Sequence, residues 1–205
     1  MRSTLALEVG DSESLARVGA EVAVAGFFRD QRPLRGGAGL ADWRLCGWLS
    51  SLLLASRASG EIGEAVLATT HGRLRAPRLL LMGLGSRARF GADVHRAAVA
   101  ASLHRLLDLG AGSAAIDLPP PAGEVNEDAL AAGIVDGACD ALDARSARLL
   151  LRVVAPPGSA ARMRSALERA AAARPRGATS LRMVRTPAAG ANPPAGAAVP
   201  RAPLA

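Results

Sequence analysis

Lysine is missing altogether: all 25 basic residues of this 205-residue chain are arginine. The bias reads as a coding preference with one chemical consequence, that every fixed cation is a planar guanidinium suited to bidentate anion contacts. Aromatic residues make up only 2% of the chain, and none follows Phe90. Base stacking is therefore not on offer in the second half, and the core is left to Leu, Val and Ala. Of the two cysteines, Cys46 and Cys139, neither belongs to a Cys-x-x-Cys pair, which excludes a disulfide framework and a zinc knuckle. Long apolar runs are also lacking. The longest, around Leu45 to Ala55, lies between Arg44 and Arg57 and is too short to cross a bilayer. Glu8 and Asp11 stand where a signal peptide needs an apolar stretch. The expected location is the cytoplasm, with no membrane partner.

Catalytic motifs are as scarce. There is no serine nucleophile elbow and no Walker loop. The three histidines have no ligand spacing: His95 and His104 fall on opposite sides of one helix and His71 lies in a hairpin loop. Asp136, Asp140 and Asp143 share one helix face, where like charges repel slightly. The ordinary reading is a solvated face relieved by Arg145 and Arg148.

What is present is a domain-sized chain with an uneven charge. The net charge is +7, and from Arg174 onward there are five Arg and no acids. The preceding 173 residues carry 20 Arg against 18 acids, so the body is nearly neutral. That spread argues against nucleic acid as a partner of the folded part. After Thr186 the sequence is Ala, Gly and Pro, too poor in large apolar side chains to offset ordering entropy. Residues 1–185 are expected to form the domain and 186–205 a disordered tail.

Strand and helix signals alternate along the body. Ser3–Val9 reads as an edge strand and Glu21–Phe28 as a central one. Gln31–Leu40 reads as a Pro- and Gly-rich loop, followed by a helix capped by Asp42. Ala65–Thr70 and Arg78–Gly83 form a hairpin-linked pair. Gly91–Asp108 is a helix stopped by Gly110, and Ala114–Asp117 a strand. Asn126 caps the next helix, Leu149–Val154 is a strand, Ser159 begins a helix to about Ala173, and Thr179–Val184 is a last strand. The pattern predicts an α/β domain with a mixed sheet flanked by helices. Gly83-Leu84-Gly85 lacks the third glycine of a dinucleotide fingerprint and reads as a tight turn. The segment Arg35-Gly36-Gly37-Ala38-Gly39-Leu40 is different, because consecutive glycines before a helix expose backbone N–H groups that suit an anion such as a diphosphate.

Three segments together carry a family resemblance. They are the strand Glu21–Phe28 running into Arg35–Leu40, then Gly63-Glu64-Ala65-Val66-Leu67, then Arg78-Leu79-Leu80-Leu81-Met82-Gly83-Leu84-Gly85. Their succession resembles the N-terminal, non-catalytic domain of the leucyl (cytosol) aminopeptidases. The resemblance implies a three-layer macro-domain-like fold over about residues 3–185. That family's catalytic domain uses two divalent metals, an Asn-Thr-Asp-Ala-Glu-Gly-Arg stretch and a lysine; neither that stretch nor any lysine occurs in this sequence. The expectation is a module without its own chemistry. It acts through a protein partner, such as a separate aminopeptidase catalytic subunit, or through self-association. Two alternatives stand beside it: an ADP-ribose or nucleotide-binding module of macro type, and a component of a split metallo-aminopeptidase. For the binding alternative, the macro-domain likeness implies a diphosphate at Gly36, Gly37 and Gly39, with Glu21 reading the adenine. Phe27 and Phe28 stand where macro domains carry asparagines, and Pro156-Pro157 removes N–H donors from a second phosphate loop.

Overall fold

The computed structural model describes residues 3–10, 15–121, 126–143, 145, 147–155, 158–174 and 178–184. The expected tail, 186–205, and Pro156-Pro157 lie outside the described residues. The strands are β1 (Ser3–Gly10), β2 (Val22–Phe27), β3 (Ala65–Thr69), β4 (Arg78–Gly83), β5 (Ser113–Asp117), β6 (Arg148–Val154) and β7 (Thr179–Met183). The helices are α1 (Gly36–Arg44), α2 (Trp48–Leu54), α3 (Ala92–Asp108), α4 (Glu127–Asp143) and α5 (Ala160–Ala173). A short 3-10 turn covers Arg87–Arg89.

These strands form one sheet in the order β3-β4-β2-β5-β6-β1-β7. Only β3 runs antiparallel to its neighbour, because the hairpin returns directly, whereas the other neighbours are reached through crossovers and lie parallel. The sheet is therefore mixed, and each face buries its own core. On one face Leu5, Leu7, Val24, Leu80 and Ile116 pack under α3, α4 and α5. On the other, Ala23, Ala25, Leu79, Leu81 and Ala115 pack under α1 and α2. This is the three-layer arrangement that the alternating pattern predicts.

Three local expectations need correction. Ser3–Val9 is not an edge: β1 lies between β6 and β7, with Leu5, Leu7 and Val9 fully buried. The Gly-rich segment is not wholly loop, since α1 begins at Gly36. The single helix expected after Asp42 is two. They are separated by a turn in which Cys46 and Gly47 take positive φ angles of 58° and 79°. Asp42 does cap a helix, but from within α1. Its Oδ1 accepts the Ser50 N–H at 3.0 Å, in the first turn of α2, and its Oδ2 accepts the Ser50 hydroxyl.

Candidate ligand cavity

Parallel strands direct their carboxyl ends to one edge, and crevices outside that edge are where α/β sheets hold ligands. Here a cavity of about 760 Å³ opens at the carboxyl ends of β2, β5 and β6. Its floor includes Gly26, Ile116 and Val153, and its walls are the first turns of α1 and α5 with His95 from α3. Gly26 is dictated by space. A side chain there would lie 2.5 Å from Leu84 Cδ1 and 3.0 Å from Leu118 Cδ2. Its absence lets the loop after β5 close over the strand end.

Polar groups enter this apolar space at few points. The first turn of α1 presents Gly36 and Gly37 to the cavity, and helix first turns carry N–H groups without intrahelical acceptors. Arg35, just before it, is exposed and makes no ion pair among the described residues. From α5 and α4 come Arg162 and Glu127, paired at 2.9 Å. At the rim the Arg87 guanidinium lies 5.2 Å over the Phe28 ring and donates to the Pro120 carbonyl at 2.7 Å. Asp30 holds the Arg87 backbone N–H at 2.9 Å.

Two titratable groups stand out because nothing described satisfies them. Asp117 closes β5 and points to the α1 side. Its Oδ2 lies only 2.6 Å from where a Gly37 Cβ would be. Burial pushes its pKa up from 3.8 to about 6, and it has no hydrogen-bond or ion-pair partner among the described residues. His95 is 2% exposed, and its buried Nε2 has no partner there either. Burial pulls its pKa down to about 4, so it is neutral at physiological pH.

The residues predicted from sequence do not all meet. Gly36 and Gly37 line the cavity. Gly39 lies deeper in α1, where a Cβ would be 2.5 Å from the Leu34 carbonyl oxygen; it serves close packing there. Glu21 precedes β2 at the opposite sheet edge, roughly 20 Å away at the rise of a strand. It accepts the Gly112 N–H at 3.3 Å and pairs with Arg78 at 3.6 Å. Asp117 and His95 were not singled out by motif. The signal for Asp117 was an acid ending an otherwise apolar strand. No group of three or more potential metal ligands gathers among the described residues.

A mixed, mostly parallel sheet between helices, with a crevice at its carboxyl edge, defines a macro-domain-like α/β module. The family model for the cytosol aminopeptidase family, N-terminal domain, matches residues 14–147. The chain belongs to that family. No curated protein matches it significantly. Among solved structures, a mutant of tomato leucine aminopeptidase superposes with a TM-score of 0.55 at 17% identity. The match covers 81% of this chain but 35% of the tomato enzyme, so the chain corresponds to about a third of that protein. A variant of the Oceanobacillus iheyensis macrodomain determined with ADPR gives 0.54 at 15% identity, covering 80% of this chain and 91% of the macrodomain. The macrodomain of Mycobacterium tuberculosis DarG gives 0.54 at 14%, covering 74% and 98%. At these identities the likeness is one of fold.

Proposed function

We propose that the chain is a binding module whose cavity takes an anionic small ligand of the nucleotide or ADP-ribose class, without chemistry of its own. The observation that carries this reading is the convergence of two helix first turns, α1 with Gly36 and Gly37 and α5 with Ser159, on one cavity. Helix N-termini favour negative charge, and Arg35 and Arg162 flank them. About 760 Å³ lies within the range that small-molecule sites occupy. The ADPR in the Oceanobacillus macrodomain structure supports the choice of probe. Glu21 has no part in the proposed site.

The test is a calorimetric titration of ADP-ribose at low salt and pH 5.5, with Gly37→Val as the control. One-site micromolar binding that the variant loses at least tenfold is the expected result. A folded chain that gives no heat with ADP-ribose would overturn the reading.

Membership in an aminopeptidase N-terminal domain family favours a second reading, an interaction or regulatory module. In that case the chain pairs with a separate aminopeptidase catalytic subunit, or with itself, and the pairing with a catalytic subunit makes it one component of a split metallo-aminopeptidase. Size-exclusion chromatography from the native host tests this reading. A stable complex supports it, and a monomer eluting alone contradicts it.

A further inference from the structure

A side chain beside the proposed anion site, Asp117, carries the same charge as the ligand when ionised. In an α-helix each Cα–Cβ bond tilts toward the N-terminus. The Cβ position of Gly37, 2.6 Å from Asp117 Oδ2, therefore lies on the N-terminal side of its Cα. Asp117 thus stands beside the first turn of α1 at Gly37, next to where a ligand phosphate would seat. We propose, resting on the binding function above, that Asp117 is the selectivity determinant of this cavity. Its carboxyl borders the anion position on α1, so a phosphate-bearing ligand is admitted when that carboxyl carries a proton and repelled when it does not.

The geometry has three supports. Asp117 has no cation or hydrogen-bond donor of its own among the described residues, so its charge is not neutralised by them. The neighbouring Ile116, Leu118 and Val154 side chains offer the carboxyl no polar group. Gly37 is the residue type that leaves room for the carboxyl, since a Cβ there would lie 2.6 Å from Asp117 Oδ2. Burial places the Asp117 titration at about 6, within reach of cellular pH.

The other charged groups lining the cavity come from four elements. Arg35 precedes α1, Arg87 sits on the 3-10 turn and Arg162 on α5, where it pairs with Glu127 of α4. Glu127 on α4 is held below the usual carboxylate range by its hydrogen bond to Arg162. His95 on α3, pulled down to about 4, stays neutral. On the neighbouring strands Glu8 of β1 pairs with Arg152 of β6 at 2.8 Å.

The experiment is titration of ADP-ribose, whose diphosphate stays doubly ionised throughout, into the wild-type chain and Asp117→Asn at pH 5.5 and 8.0. The proposal expects wild-type affinity to fall roughly 80-fold between the two, following the protonated fraction. Asp117→Asn is expected to bind with the same affinity at both pH values, matching the wild type at pH 5.5. Wild-type binding that ignores pH overturns the proposal and leaves the binding function intact. An Asp117→Asn variant that folds but loses binding at both pH values also overturns it, because Asp117 would then be a ligand acceptor. No binding by either protein at either pH overturns both readings. Should the variant fail to fold, the two wild-type titrations decide the question: a fall in affinity of that size supports the proposal, and equal affinities overturn it.

Discussion

At the scale of single residues, Asp117 and His95 pull stability in opposite directions. The folded state raises the Asp117 pKa from 3.8 to about 6, so it holds that proton more tightly than the unfolded chain does. The resulting stability is present below 3.8 and is lost as pH rises to about 6, on the order of 3 kcal/mol in all. For His95 the folded pKa is depressed from 6.5 to about 4. Its contribution is present above 6.5 and is lost as pH falls through about 4, by a similar order. Between pH 4 and 6 the two nearly cancel. Asp117→Asn should therefore stabilise the chain by about 1–3 kcal/mol at pH 7.5 and expose the acid-side loss due to His95. Urea unfolding at pH 4.5, 6.0 and 7.5 measures both effects; a variant with the wild-type profile would contradict this account. Neither role was legible in the sequence. Asp117 ends a strand that pattern recognition places well, but its isolation depends on Gly37 arriving from α1, a contact 80 positions away.

At the scale of elements, packing of one helix against another or onto a neighbour's end makes the sharpest predictions. Asp42 reaches across the turn to accept from Ser50, so Asp42→Ala removes the cap of α2 from outside that helix. The expected cost is about 1 kcal/mol, seen as faster amide exchange in Trp48–Leu54 with little change in β2. Gly137 lies where α4 crosses α3: a Cβ there would be 2.6 Å from the Arg96 carbonyl oxygen and 3.0 Å from Val99 Cβ. Gly137→Ala should destabilise by about 1–3 kcal/mol in chemical denaturation, despite the better helix propensity of alanine. An unchanged midpoint would mean that the two helices slide apart freely.

Elements with a strong period were readable. The hairpin pair β3–β4, helices α3 and α5, the start of α4 and strand β6 fall within a residue or two of expectation, since apolar spacing and end signals mark them. The start of α1 was hidden by glycines, which lower helix propensity but are required by the closeness of Asp117 and Leu34. That β1 is interior was hidden too, because an edge strand differs from an inner one only by partners supplied from far along the chain. The acidic face of α4 was legible as a cluster but not in its relief. Arg174 reaches Asp136 at 2.7 Å and Arg96 reaches Asp140 at 2.6 Å, while Arg145 turns to Asp108.

At the scale of the whole molecule, the sheet order brings the ends of β2, β5 and β6 to one crevice and sends Glu21 to the other side. The Gly-rich segment stands out in the sequence and does line that crevice through Gly36 and Gly37. Glu21, the expected adenine reader, stands at the other end of β2 from Gly36 and Gly37, with Arg78 and the Gly112 N–H as its partners. A pure preparation should leave a leucyl chromogenic substrate uncleaved with manganese or zinc; turnover would contradict a binding-only module. The most direct measurement is a titration of ADP-ribose into the isotope-labelled chain, following backbone amides by NMR. The account predicts saturable shifts at Gly36, Gly37, Ala155 and Ser159, with Glu21 and Gly112 unmoved. Shifts confined to the opposite sheet edge, or none at millimolar ligand, would contradict it.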